Sequence, residues 1–196
     1  MRALFALALA LTFLSSGCAG WRRPAVPVVR LGISPDVAAG SPASTDTVVE
    51  IAAFATAPAF RTDRVAVAEG GSGYRFLTRV RWAAEPGPLV ADALRRGLIG
   101  SGAAKAAFAA PAPVSPDLRC TGVVDALYWD RSRGVVVLGA TWSLIGPDGE
   151  LESFRSGQWE VPVDPATLQG FQTAADRVVA RLVGSVAKDL ARLARE

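Results

Sequence analysis

Two cysteines and the absence of histidine set the limits on the chemistry open to this chain of 196 residues. Without histidine, Ser-His-Asp and Cys-His catalysis and His-ligated zinc are excluded, as is the usual general base near neutral pH. Cys18 follows the sequence LSSG at the end of an apolar segment, where its thiol could be acylated. Cys120 lies in a strand-like run, which favours a buried, inert thiol over a reactive one. If Cys18 is acylated, the mature chain cannot form an intramolecular disulfide.

Two further patterns could carry chemistry, and each has a simpler interpretation. Glu150 and Glu152 share a face of a predicted strand, as an acid and base pair would, but they lack a pocket signal and are expected to be solvated edge charges. The glycine-rich stretch 69–73 is typical of phosphate loops, yet it lacks the Gly-Lys-Ser/Thr ending and precedes a strand, so we expect a hairpin turn. We therefore predict no catalytic residue, metal site or cofactor. A hydrolase using only serine and carboxylates is the enzyme class left open.

Residues 1–17 have the three parts of a secretory signal. Arg2 supplies a positive start, residues 3–14 are uncharged and mostly apolar, and small residues follow. A retained transmembrane helix is the competing interpretation, because residues 3–20 carry no charge. The polar and small residues near the end leave an apolar core that is short for a bilayer span. A signal that is cleaved without lipidation is the other alternative.

The ending LSSGC resembles a lipobox, the motif read by lipoprotein signal peptidase. It departs from the best form, because Ser15 lies three residues before the cysteine and Leu14 lies one place earlier. By this resemblance Cys18 would carry a thioether-linked diacylglycerol and an N-terminal acyl chain such as palmitate. Several acyl chains give a lasting membrane anchor, whereas one does not. Ala19, in place of Asp, implies sorting to the outer membrane, with the domain on its periplasmic face.

Composition divides the chain into a signal (1–17), an acylated flexible tether (18–47) and one domain (48–196). The tether is rich in proline and small residues and cannot form its own core, although residues 28–31 could dock as an edge strand. The formal net charge is +3, and Lys and Arg occur in no run longer than a pair. Nucleic-acid binding is therefore not expected.

The domain pattern predicts an α+β fold in which a mixed or antiparallel sheet is covered by two helices. One helix is expected to start at Pro86 and to end at Gly97, Gly100 and Gly102. The other is expected to be capped by Asp164, with Pro165 in its first turn, and to lay an apolar stripe across the sheet or against a partner. The predicted strands are 48–54, 65–68, 74–77, 118–129, 135–145 and 150–163.

Four tryptophans in the domain could either fill the core or line a lipid groove: Trp82, Trp129, Trp142 and Trp159. Core positions are favoured because large aromatic residues on amphipathic strands usually pack inside. Trp129 is the expected exception, since strand alternation places it on the same face as Arg119, Thr121 and Asp125. Trp129 and Trp82 are therefore the candidates for contact with a lipid or a partner.

The sequence Arg81-Trp82-Ala83-Ala84-Glu85-Pro86, leading into an amphipathic helix, carries a family resemblance. With the lipobox, the strand and loop around residues 54–67, and the Trp-rich strands before a long last helix, it resembles the ABC-type transport auxiliary lipoprotein components. The paraquat-inducible intermembrane-transport lipoprotein is the type of this family. The resemblance implies a non-enzymatic outer-membrane lipoprotein that works beside a transporter with a mammalian-cell-entry (MCE) domain, which moves phospholipid between membranes. The alternative is a periplasmic carrier or assembly factor that binds phospholipid or lipopolysaccharide through a tryptophan-lined face.

Overall fold

The computed structural model describes residues 27–37, 46–71 and 73–195. These residues form a single α+β domain of nine strands, two α-helices and a short 3-10 helix, which confirms the predicted fold class. The helices are α1 (Pro86–Gly100) and α2 (Leu168–Leu193). The strands are β1 (Val29–Leu31), β2 (Val48–Ile51), β3 (Ala55–Thr56), β4 (Arg64–Ala68), β5 (Arg75–Trp82), β6 (Ala106–Ala109), β7 (Leu118–Asp130), β8 (Val135–Ile145) and β9 (Leu151–Pro162).

All nine strands belong to one mixed sheet built around β7, the longest strand. One edge of β7 pairs antiparallel with β8, which pairs antiparallel with β9. The other edge pairs in parallel with β2, β3 and β4 in turn. Beyond β7 the sheet divides, because β2 continues to β6 while β4 continues to β5 and then β1. The outermost strands are therefore β9 on one side and β1 and β6 on the other.

Alternate residues of β8 point to opposite faces of the sheet, which explains how the sheet acquires an apolar face toward the helices. Five residues of this strand point toward the helices and are buried: Val136, Leu138, Ala140, Trp142 and Leu144. The intervening residues form part of the opposite face, which no α-helix covers in the described chain. Val137 is nevertheless buried on this face, beside Tyr128, whose ring stacks on Phe60 of the 3-10 helix. We call this second surface the open face of the sheet.

Helix α1 begins at Pro86, as predicted, and is held against β3. The Gly87 amide donates to the Thr56 hydroxyl over 2.9 Å. A Cβ at Gly87 would lie 2.2 Å from the Phe54 carbonyl oxygen, so only glycine permits this approach. The prediction that Gly97 helps to end the helix is wrong, because Gly97 lies inside α1 where the helix meets Val183 of α2.

Helix α2 starts later than predicted. The expected cap at Asp164 is wrong, because the helix begins at Leu168 and Thr167 is the N-cap. The Thr167 hydroxyl accepts from the Gly170 amide over 3.1 Å. The predicted apolar stripe is confirmed as a core face, since six of its seven members are buried: Phe171, Ala175, Val178, Leu182, Val186 and Leu190.

Part of the segment interpreted as a tether docks on the domain, as the possible edge strand in residues 28–31 allowed. Strand β1 pairs with β5, and Leu31 and Ile33 are buried. The Ser34 amide donates to Asp176 of α2 over 2.8 Å. The core forms one cluster that runs from Leu31 to Leu190. The described part of the domain therefore includes residues 28–37, which belong to the segment interpreted as a tether. Within the described residues, neither helix is long and apolar enough to cross a membrane.

Candidate functional site

The two tryptophans singled out for lipid or partner contact lie in the core, and Cys18 falls outside the described residues. The exposed fraction is 0% for Trp82 and 6% for Trp129. Both indoles contact the ring of Phe171 on α2, at centroid distances of 5.5 and 5.2 Å. The prediction that Trp129 faces away from the core is therefore wrong.

A β-bulge in β7 explains this error. The pairing with β8 shifts between Val124 and Ala126, so the alternation of buried and exposed residues changes phase at Asp125. Before the bulge, Cys120 and Val124 point inward; after it, Leu127 and Trp129 do so. Arg131 covers the outer side of the Trp129 ring at 4.4 Å, which completes its burial.

Asp189 joins the other two tryptophans to α2. Trp142 and Trp159 stack with centroids 6.0 Å apart, and the Trp142 indole nitrogen donates to Asp189 over 3.1 Å. Arg155 of β9 lies 3.7 Å from the other carboxylate oxygen of Asp189. The helix is thus held to β8 and β9 by polar contacts at its edge, in addition to the apolar core.

Cys120 is fully buried among core residues, as predicted. Burial, with a smaller contribution from the charge of Asp189, raises the pKa of its thiol to about 12. The thiol is therefore protonated at neutral pH and is inert as a nucleophile.

The outer side of β9 is a surface of the described domain where backbone hydrogen-bonding groups and large apolar side chains are exposed together. Strand β9 pairs with β8 alone, so the amides and carbonyls of its other edge have no strand partner within the described chain. Near its end, the Glu160 carbonyl accepts a hydrogen bond from Arg181 of α2 over 2.9 Å. Its only proline, Pro162, comes at its last position. Leu151 and Phe154 each expose 62% of their area on this strand, whereas most apolar side chains of the domain are buried. We call the free edge of β9 together with these two side chains the β9 surface.

The side chains beside Phe154 on the open face are small, so a partner can approach the β9 surface across this face. In the strand register Phe154 lies beside Ser143, which lies beside Thr121. Leu151 lies beside Ile145, at the rim of a cleft of about 360 Å³. Six residues line this cleft together with Ile145: Ser115, Pro116, Arg119, Gly146, Pro147 and Gly149. An apolar side chain from a partner could therefore approach Phe154 and Leu151 without displacing bulky neighbours.

Ionic contacts fix both ends of the open face. At one end, Arg133 in the β7–β8 turn binds Asp130 over 2.7 Å and reaches Glu160 of β9 over 2.9 and 3.0 Å. Hydrogen bonds from Ser132 and Arg133 lower the pKa of Asp130 to about 2. At the other end, Arg119 lies 2.6 Å from the buried carboxylate of Glu50 in an ion pair.

Sequence reasoning missed Phe154 as an exposed residue, although a signal was present. Phe154 and Trp159 are five positions apart, and an odd spacing in a strand places two side chains on opposite faces. Since Trp159 packs on Trp142, Phe154 must point to the open face. Glu150 and Glu152 are exposed, which fits the interpretation as solvated charges.

Solved structures with a similar fold share little sequence with this chain. A crystal structure of an uncharacterised protein superimposes with a TM-score of 0.68 at 14% identity, covering 83% of this chain and 98% of that one. A Xanthomonas campestris protein of the DUF330 family superimposes with a TM-score of 0.64 at 16% identity, covering 87% and 98%. At these identities the similarity establishes the fold alone. Comparison with curated protein sequences gave no match.

The sequence profile of one family covers most of the domain. Residues 31–187 match the ABC-type transport auxiliary lipoprotein component, a range that runs from β1 into the last turns of α2. This confirms the resemblance inferred from the segment 81–86. The chain belongs to the family of ABC-type transport auxiliary lipoprotein components.

Proposed function

We propose that this protein is a non-enzymatic outer-membrane lipoprotein that docks the MCE-domain protein of an ABC phospholipid transport system. Acyl chains on Cys18 would anchor it to the outer membrane, with the domain on the periplasmic face. Family membership supports a role in ABC transport. The observation that carries the docking role is the β9 surface, where an unpaired strand edge lies beside exposed Leu151 and Phe154 in the described domain.

Two kinds of contact make the β9 surface suitable for a protein partner. A free strand edge can accept a further strand, whose main-chain hydrogen bonds provide affinity. An exposed aromatic ring beside that edge can provide the anchor that concentrates binding energy at many interfaces. Ion pairs near both ends of the open face hold the strands in place before a partner binds.

Exchange of Phe154 tests this proposal. In a pull-down with the MCE-domain protein of the same organism, Phe154→Asp should weaken binding by about 30-fold, the loss of a typical hot spot. Ile99→Asp is the matched control, because Ile99 is an apolar residue of α1 with 45% of its area exposed. Equal binding by wild type and Phe154→Asp, with Ile99→Asp also unchanged, would contradict docking through β9.

The carrier role has weaker support. Its tryptophan-lined face would require open indoles, but Trp82, Trp129 and Trp142 are buried between the sheet and the helices. A lipid could reach them only if α2 moved away from the sheet. Co-purified phospholipid that is lost on Trp129→Ala would favour the carrier over docking.

A further inference from the structure

Three arginines form one row across neighbouring strands at the edge of the sheet opposite β9. Arg30 of β1 pairs in register with Arg81 of β5, and Arg81 pairs with Arg64 of β4. The next residues of β1 and β5, Leu31 and Trp82, are buried in the core. Alternation therefore directs the three arginines to the open face, within about 10 Å of one another at the usual strand spacing.

The carboxylates around this row neutralise only part of its positive charge. Asp63 accepts two hydrogen bonds from Arg81, over 2.9 and 3.0 Å. Arg30 and Arg64 are exposed, and no carboxylate of the described residues lies within ion-pair distance of either. Like charges directly opposite each other destabilise a sheet. Binding of an anion from outside the domain would offset the repulsion among these arginines and would explain why the row exists.

The chain forms a cleft beside the row that is suited to an oxyanion. Arg61, Arg64 and Arg81 line a cleft of about 460 Å³ together with Thr62 and Phe76. Guanidinium groups can bind phosphate oxygens in pairs, and a threonine hydroxyl can add a further donor. The cleft is open to solvent at the surface, so it could receive a phosphate that is part of a larger assembly.

The position of Arg30 in the sequence indicates that this phosphate belongs to a membrane lipid. Arg30 is twelve residues after Cys18. Such a segment spans at most about 40 Å when fully extended and about 20 Å as a random coil. If Cys18 is anchored in lipid, the row is thereby kept near the membrane surface. The proximity of anionic headgroups, together with the excess positive charge, favours a lipid phosphate over a free one.

We propose that Arg30, Arg61, Arg64 and Arg81 form a second membrane contact that binds the phosphates of anionic phospholipids. This inference rests on the proposed anchorage through Cys18. The acyl chains hold the protein at the membrane, and the arginines orient the domain by turning the β1 side of the open face toward the headgroups. The β9 surface lies at the other edge of the sheet, five strand spacings from β1.

Vesicle flotation tests the contact apart from the acyl anchor. The probe is the mature chain, residues 18–196 with Cys18→Ser, which contains the whole core from Leu31 to Leu190. It should bind vesicles of phosphatidylcholine with one third phosphatidylglycerol, but not vesicles of pure phosphatidylcholine. Binding should be lost between about 0.1 M and about 1 M salt, where the Debye length falls from about 10 to about 3 Å.

Charge-matched variants make the test specific. The triple change Arg30→Gln, Arg61→Gln and Arg64→Gln should weaken binding on the order of 100-fold, because each basic residue near an anionic surface contributes about fivefold. The control removes three exposed charges elsewhere: Lys105→Gln, Arg177→Gln and Lys188→Gln. Its binding should be within a few-fold of wild type.

Three outcomes would overturn the proposal. One is equal binding by the wild type and the triple variant, and another is equal binding to vesicles with and without phosphatidylglycerol. The third is binding of inorganic phosphate alone, with no binding to vesicles. Phe154→Asp should bind these vesicles as wild type does, so failure of the lipid contact and failure of docking through β9 give different results.

Discussion

Asp130 is the buried carboxylate that organises the β7–β8 turn. It accepts hydrogen bonds from the Ser132 hydroxyl and from the backbone and side chain of Arg133. These bonds hold the pKa of Asp130 at about 2, below the ordinary value of 3.8. A lowered pKa in the folded state means that the carboxylate stabilises the fold above pH about 4, and that this contribution is lost as the pH falls toward 2.

Asp130→Asn should therefore lower the free energy of unfolding by about 1–2 kcal/mol at neutral pH, since charged hydrogen bonds become neutral ones. The difference from wild type should be constant between pH 7 and pH 5 and should shrink below pH about 4. Urea unfolding at several pH values measures both effects. Asp125→Asn on the same strand is the control, because Asp125 is exposed and its hydrogen bond from the Thr141 hydroxyl, over 2.9 Å, can also be accepted by an asparagine oxygen. A difference that persists undiminished at pH 2 would contradict this account.

At the scale of elements, Gly97 sets the distance between α1 and α2. A Cβ at this position would lie 2.8 and 2.9 Å from the two methyl carbons of Val183. Valine in a helix is nearly restricted to one rotamer, so Val183 cannot turn away. Gly97→Ala should lower the free energy of unfolding by about 1–3 kcal/mol through overpacking, even though alanine favours helices.

The matched change Gly184→Ala isolates the packing effect in thermal unfolding. Gly184 lies inside α2, and a Cβ there would meet no atom within 4 Å. This variant should be as stable as wild type or gain up to about 1 kcal/mol from helix propensity. Adding Val183→Ala to Gly97→Ala should recover more stability than independent effects predict, because it removes the overlapping methyl groups. If Gly97→Ala instead behaves like Gly184→Ala, the two helices are not in close contact at this point.

The elements that the sequence predicts well are those whose burial repeats locally. The inward-facing residues of β8 and the apolar stripe of α2 each follow one regular repeat of apolar residues along the sequence, and both are confirmed. Strand β6 was missed because alanine-rich residues 106–109 favour strands weakly, and their pairing with β2 is a long-range contact. Trp129 was assigned to the wrong face because a bulge in β7 shifts the alternation of inward and outward side chains by one residue. The row of Arg30, Arg64 and Arg81 could not be predicted either, since it depends on the register of three strands distant in sequence.

For the whole molecule, the order of strands separates the two proposed contacts. Strand β9 lies at one edge, and β1 lies at the other with β8, β7, β4 and β5 between them. Five strand spacings correspond to about 24 Å across the sheet. A domain bound to the membrane through the β1 edge would therefore leave β9 free, so that lipid and protein contacts can form together.

The anchor itself gives the last prediction, which concerns location and not folding. If residues 1–17 are replaced by a signal that is cleaved without lipidation, and Cys18 is changed to serine, the protein should move from the outer-membrane fraction to the soluble periplasm. Its melting temperature should stay the same, because the core of the described residues is formed by residues 31–190. The arginine row alone should leave only a weak attachment that washing with salt of about 1 M removes, since screening at this ionic strength weakens exposed charge contacts. Membrane fractionation before and after the wash, with the native signal and Cys18 retained in the control, separates these contributions. If the variant with Cys18→Ser stays in the outer membrane after the wash, acylation is not its principal anchor, and a partner such as the one expected at β9 must retain it.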